Sequence, residues 1–217
     1  MLPTRLNYEK DLQKISDRLV QMFRHTEAAI EKATQALVTG DIDLAQDAIK
    51  DEQKIDKHER KIQKSCLNLL LMEQPVARDF RELSATLKII TDLERIGDQA
   101  SDIAQIAIEL AEYADRPLSQ IPQMATIVVQ MVKDAVQAYI NRDLILAQSI
   151  EPTDDKVDGL FAKTLSEIVT MIKSTPENAE KALKLTLITK YLERIGDHAV
   201  NLSEIAQYRV TGKHVRK

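Results

Sequence analysis

Six residues, Leu93-Glu94-Arg95-Ile96-Gly97-Asp98, recur unchanged as Leu192-Glu193-Arg194-Ile195-Gly196-Asp197. Each copy carries two carboxylates four positions apart, which places them on one face of a helix about 6 Å apart along its axis. A third polar residue follows one turn later, Asp102 in the first copy and Asn201 in the second. Each copy has a second acidic pair upstream at the same spacing, Glu52 and Asp56 in one and Asp154 and Asp158 in the other. Carboxylates gathered in this way repel one another, weakly in water and more strongly when desolvated. A multivalent cation relieves that repulsion, and an all-oxygen ligand set suits hard ions such as magnesium, manganese or ferric iron. Zinc is less favoured because no Cys/His set accompanies the acids. Gly97 and Gly196 lie in mid-helix, where glycine costs about 1 kcal/mol relative to alanine, so each is expected to admit a close neighbour.

The elements that position these acids are helices. Leu12, Ile15, Leu19, Met22, Ile30, Ala33 and Leu37 recur at three-and-four spacing and predict a first helix from about Thr4 to Val38, stopped by Gly40. Asp41 opens a second helix that runs to Met72, and Pro75 marks the turn after it. The third carries Phe80, Leu83, Leu87 and Ile90 into the first hexapeptide and on to Leu110. Arg116-Pro117 and Pro122 mark a boundary, and Ile121 to Tyr139 form a fourth helix. Asn141-Arg142-Asp143 then takes the part of Gly40-Asp41, and a fifth helix follows that Pro152 must break or kink before it runs on to Lys173. After Pro176 a sixth helix carries the second hexapeptide to about Tyr208, with a frayed basic tail beyond.

The reading is an all-α chain of two tandem three-helix bundles, residues 1–115 and 116–217, six long antiparallel helices related by an internal repeat. Folding each hairpin at its proline tests whether the acids meet. Asp56 and Glu94 lie 19 residues either side of Pro75 (75−56, 94−75), and Glu52 and Asp98 lie 23 either side. In the second half Asp158 and Glu193 lie 18 and 17 from Pro176, and Asp154 and Asp197 lie 22 and 21. Antiparallel helices of equal rise bring these pairs level, so four carboxylates are expected to converge in each half.

Composition limits the alternatives. Hydrophobic residues make up 44%, enough for a real core, and the net charge of −4 with interspersed signs argues against a phosphate-neutralising nucleic-acid surface. No apolar run approaches the roughly 20 residues of a membrane helix, and the N-terminus has no export signal, which fits a cytoplasmic protein. The single cysteine, Cys66, sits in an apolar run and reads as a small core residue. His198 and His58 follow acids but diverge from them around the helix, and read as non-ligating. Arg95, Arg194 and nearby lysines offer a competing account in which the acids are neutralised by ion pairs. No phosphate-binding loop, nucleophile elbow or catalytic triad is visible.

With these motifs in place, the chain resembles the PhoU family of bacterial phosphate-transport accessory and regulatory proteins. The resemblance rests on both hexapeptides, on the pairs Glu52/Asp56 and Asp154/Asp158, and on the turn Gln74-Pro75-Val76-Ala77-Arg78-Asp79. It implies two three-helix bundles side by side, with metal clusters on the Glu/Asp-x-x-x-Asp motifs, iron foremost, with magnesium, manganese or zinc as alternatives. It also implies a homodimeric, cytoplasmic, non-enzymatic regulator. Such a protein acts with a phosphate ABC transporter and a sensor histidine kinase to restrain phosphate uptake and phosphate-starvation gene expression. The chain departs from the family at Pro152 and at Asn201, which replaces the third acid of the second motif. Two rivals stand beside this reading. A di-iron carboxylate enzyme or metal store would use Glu-x-x-His pairs, and no Glu lies three residues before any of the four histidines. A purely structural helical scaffold would leave the acids solvated.

Overall fold

A computed structural model describes residues 3–73, 75–112 and 120–213, with the side chains of residues 3–7 left aside. Gln74 and the expected Arg116-Pro117 boundary lie outside the described residues. Helices α1 (Pro3–Thr39), α2 (Ile42–Glu73) and α3 (Ala77–Leu110) pack on one another, as do α4 (Gln120–Asn141), α6 (Glu151–Ser174) and α7 (Ala179–Thr211). The short α5 (Leu144–Gln148) precedes α6, and a single 3₁₀ turn, Pro176–Asn178, leads into α7. The apolar stripe read for α1 is its buried face: Ile15, Leu19, Met22, Ile30, Ala33 and Leu37 are all buried.

The expected fifth helix is two helices. Asp143 caps α5, its carboxylate accepting from the N–H groups of Ile145 and Leu146 at 3.0 Å each. The chain then breaks at Ser149-Ile150, and Pro152 sits in the first turn of α6, where its missing N–H costs nothing. The equivalence of the two interhelix turns is conformational as well as sequential. Gly40 ends α1 with φ of +74°, and Arg142, 102 positions later (142−40), ends α4 with φ of +57°. A non-glycine residue there is strained by roughly 1 kcal/mol, and Arg142 is tied down by donating to Glu82 at 3.4 Å.

The last helix extends three residues past the expected Tyr208. Gly212 closes it in the left-handed conformation, its N–H donating to the Tyr208 carbonyl at 2.8 Å. Arg209 anchors that end. It pairs with both carboxylate oxygens of Glu82, donates to the Tyr139 carbonyl at 2.5 Å and lies 4.3 Å from the centre of the Tyr139 ring.

Helices α3 and α7 join the halves and run antiparallel. Glu82 meets Arg209 at one end, and Glu109 meets Lys184 at the other, 3.3 Å apart. The core is continuous across the seam, and Leu93, Ile96, Leu192 and Ile195 of the two hexapeptides are fully buried in it.

Candidate functional site

Three of the four carboxylates expected to converge in the first half do so, Glu94 standing outside the trio, and the described residues of the second half form no such trio. Oxygens of Glu52 and Asp56 on α2 and Asp98 on α3 all lie within 4.8 Å of one another, the one such trio among the described residues. Two features bring the helices together here. Ile55, fully buried between the two α2 acids, points at α3. Gly97 receives it: a Cβ at that position would stand 2.9 Å from Ile55 Cδ1. The missing side chain that costs α3 helix stability is what lets α2 approach at the height of the acids.

The electrostatics report the crowding. Burial first, then Asp56, Asp98 and Glu94, push the Glu52 carboxyl above its ordinary range. Asp98 is raised by burial and by Asp56, with Arg95 opposing and Asp102 adding to the rise. Glu94 is raised by burial and Asp98, again against Arg95. The cations nearby do not discharge the cluster. Arg60 reaches Asp56 at 3.1 Å and Arg95 reaches Glu94 at only 3.6 Å, and both arginines are exposed. Half-buried like charges with partial compensation fit a hard multivalent cation in donor type and in spacing.

The second half is built on the same plan but more openly. Burial, then Asp158, Asp197 and Glu193, push the Asp154 carboxyl up to about 6. Asp158 and Asp197 are exposed. Gly196 admits the acid itself: a Cβ there would stand 2.7 Å from Asp154 Oδ1. An open cleft of about 540 Å³ adjoins it, lined by Glu151, Asp154, Asp155, Arg194, Asp197 and His198. Glu193 is ion-paired, with Lys190 Nζ at 2.7 and 2.6 Å from its two oxygens and 5.5 Å from the Phe161 ring centre. The ion-pair account of the acids therefore applies to Glu193 and, in the first trio, to Asp56 alone, whose partner is the exposed Arg60.

Several residues near these clusters escaped the sequence reading. Glu59 adds charge to the first cluster, acting on Glu94 and itself raised by burial and by Asp56. Its equivalent in the other half is Phe161 (59+102), so comparing the repeats hides it. Asp92 lies across the seam from α7: His198 Nδ1 is 2.9 Å from its Oδ1, and the Asn201 amide donates to that oxygen at 3.2 Å. Asn201 is thus engaged by α3. Asp102, too, stands outside the trio; with burial first, its charge raises the Tyr191 hydroxyl of α7. Asp51, the neighbour of Glu52, is buried and turned to α1, held by Lys32 at 2.5 Å and His25 at 3.1 Å from that helix and by Lys54 at 2.7 Å. His58 is half-buried, its ring 5.8 Å from that of His25, and takes no part in the trio. Cys66 is fully buried, its thiol pushed up to about 12 by burial.

Fold and site together define a duplicated three-helix-bundle protein with an acidic pair on each arm of two equivalent hairpins. A sequence model described as the PhoU domain matches residues 19–107 and again residues 121–206, and the chain belongs to the PhoU family. It is 35% identical over 214 residues to the phosphate-specific transport system accessory protein PhoU homolog of Clostridium acetobutylicum, covering 98% of each chain. It is 36% identical over 208 residues to the homolog of Aquifex aeolicus, covering 95% of this chain and 94% of that one. The crystal structure of PhoU from Pseudomonas aeruginosa superposes with a TM-score of 0.91 at 33% identity, over 95% of this chain and 100% of the other. The fold is shared also with the phosphate transport system regulatory protein PhoU of Streptococcus pneumoniae, at a TM-score of 0.88 and 24% identity, over 97% of this chain and 100% of that one. The family is one of accessory proteins, and this chain is not an enzyme. No described helix is long and apolar enough to cross a membrane.

Proposed function

We propose that the chain is an accessory regulator of phosphate-specific transport that acts through protein contacts in the cytoplasm. Its partners are a phosphate ABC transporter and a sensor histidine kinase, and it restrains uptake and starvation-gene expression when phosphate is plentiful. Full-length similarity to proteins named as accessories of phosphate-specific transport supports the regulatory part. The two repeats, residues 1–115 and 116–217, form one unit each, and the working form is a homodimer.

The acidic clusters hold metal ions, iron foremost, with magnesium, manganese or zinc as alternatives. One observation carries this part: Glu52, Asp56 and Asp98 converge, with the Glu52 and Asp98 carboxyls raised and, among the described residues, only Asp56 directly ion-paired, to the exposed Arg60. In the first half these three would hold the ion with Glu94. In the second, Asp154, Asp158, Asp197 and Glu193 would do so, with Lys190 competing for Glu193. Asp102 and Asn201 stand at the inner edge of each set. A bound cation would supply charge neutralisation, locking α2 to α3 and α6 to α7.

The test is a phosphate-responsive reporter in a host lacking this gene, complemented with wild type or with Glu94→Ala/Glu193→Ala, folding being checked by circular dichroism. Derepression in high phosphate, corrected by wild type and not by the folded double variant, is the expected result. Full correction by the double variant would assign the regulatory work to surfaces other than the acids. A reporter that stays repressed in the deletion host would overturn the regulator reading.

A further inference from the structure

His198 lines the second cleft beside Asp154 and Asp197, and its ring is held from the other half of the molecule. Its Nδ1 lies 2.9 Å from Oδ1 of Asp92 on α3, and the Asn201 amide donates to the same oxygen at 3.2 Å. A carboxylate oxygen only accepts, so Nδ1 carries the proton of the neutral ring and Nε2 keeps its lone pair. Nε2 has no hydrogen-bond partner among the described residues. A carboxylate on one ring nitrogen and an open lone pair on the other is how proteins present histidine to a metal. The carboxylate fixes the tautomer and the ring direction and raises the basicity of the ligating nitrogen.

The first half has no counterpart. Gln99 stands in the place of His198 and Tyr191 in that of Asp92 (198−99, 191−92), so neither the imidazole nor its carboxylate is repeated. The oxygen donors differ in the opposite sense. Lys190 Nζ holds the two oxygens of Glu193 at 2.7 and 2.6 Å, whereas Arg95 comes only within 3.6 Å of Glu94. The second cluster thus has one carboxylate engaged by a lysine and an imidazole at its cleft, while the first is oxygen throughout. Imidazole suits zinc and its neighbours, and all-oxygen sets suit magnesium and manganese. We propose that His198, oriented by Asp92, is a ligand of the second cluster together with Asp154 and Asp197, and that the two clusters therefore differ in metal preference, the first taking a hard ion and the second a borderline one such as zinc. The angle around α7 that separates His198 from Asp197 does not keep both from lining one cleft, whose facing wall is α6. This inference rests on the metal reading of the clusters.

Zinc(II) and manganese(II) titrations of the chelator-treated full chain test it, zinc by competition with a chromophoric chelator and manganese by electron paramagnetic resonance of the free ion. His198→Gln installs the residue that the first half carries at this place, and folding is checked by circular dichroism. Asp92→Asn removes the orienting carboxylate and is expected to lower zinc affinity about 10- to 100-fold. His198→Gln should lower it at least as much, with manganese uptake at the first cluster unchanged in both variants. In wild type the His198 ring-nitrogen resonances, identified by their loss in His198→Gln, should shift on zinc addition, which a histidine with a structural role alone would not show. A folded His198→Gln that binds zinc as tightly as wild type overturns the inference, even if its melting temperature falls, and so does an unshifted His198 resonance. In either outcome a loss of zinc uptake in Asp154→Asn, or of manganese uptake in Asp98→Asn, leaves the metal reading standing. Wild type that takes up neither ion overturns both.

Discussion

Gly97 and Gly196 are equivalent in sequence, yet replacing each with alanine should move stability in opposite directions. Either change recovers about 1 kcal/mol of helix propensity. At Gly97 the new methyl meets Ile55 Cδ1 at 2.9 Å and Cγ2 at 3.5 Å, and Ile55 has 0% exposure, so its side chain has no free space to enter. Overfilling a core in this way costs about 1–3 kcal/mol. The net effect of Gly97→Ala is thus a loss of roughly 0–2 kcal/mol, taking the 1 kcal/mol gain from that range. At Gly196 the methyl meets Asp154 Oδ1 at 2.7 Å and Val157 Cγ1 only at 3.7 Å. A carboxylate at the edge of an open cleft can rotate away, so most of the gain in propensity survives, and the charge that moves is one already crowded. Thermal unfolding by circular dichroism, with chelator present, reads both. One kcal/mol corresponds to about 2–4 °C for a chain of this size, so Gly196→Ala should melt up to that much higher and Gly97→Ala level or lower. Equal stabilisation by the two substitutions would refute the claim that Gly97 is there to admit Ile55. The same variants divide binding from stability, since Gly196→Ala displaces Asp154 and should weaken cation uptake in the second half while raising the melting temperature.

Asp154 also sets a pH dependence. Its carboxyl is raised to about 6 in the folded chain from 3.8, so the folded state holds the proton more tightly than the unfolded one. The penalty for its charge is present above about pH 6 and is relieved as pH falls from there toward 3.8; in chelator, lowering the pH from 7 to 5 should raise the melting temperature of wild type more than that of Asp154→Asn. Asp51 has the reverse sign: burial raises its carboxyl, but the hydrogen bonds from Lys32 and Lys54 outweigh this and hold it below 3.8. Its stabilising contribution is present above that pH and is lost as pH falls through the lowered value. Asp51→Ala at neutral pH should cost about 2–3 kcal/mol in chemical denaturation, less than a fully buried pair because Lys32 and Lys54 are 33% and 52% exposed. The Cys66 thiol, buried and pushed up to about 12, should resist a thiol reagent in the native protein at neutral pH and react stoichiometrically once the chain is unfolded in denaturant.

The first acidic trio was legible because helices rise evenly. Counting 23 residues either side of Pro75 puts Glu52 and Asp98 at one height, and a straight antiparallel hairpin has no freedom to place them elsewhere. The same count served less well in the second half, where α6 begins only at Glu151 and its acids open onto a cleft. Local irregularity there is set by Pro152, whose position was readable but whose effect on neighbouring side chains was not. The seam between the halves was out of reach for a different reason. Which residue of α3 faces which of α7 depends on the depth and register of a packing between elements that no short turn connects. Once that register is known the sequence becomes informative again, because residue numbers in facing pairs sum nearly to a constant: 92+201 and 109+184 both give 293, and 82+209 gives 291. Gly97 and Gly196 also sum to 293 and so mark the centre of the crossing, where each opens toward its own acidic hairpin. A repeat that places its two sites back to back about one axis must join them through whatever residues lie within a turn or two of that centre. Asp92, His198 and Asn201 meet there through hydrogen bonds, and Gln99 and Ser101 of α3 and Thr189 and Ser203 of α7 are buried on the same two helices, so the crossing between the two hairpins is polar as well as apolar.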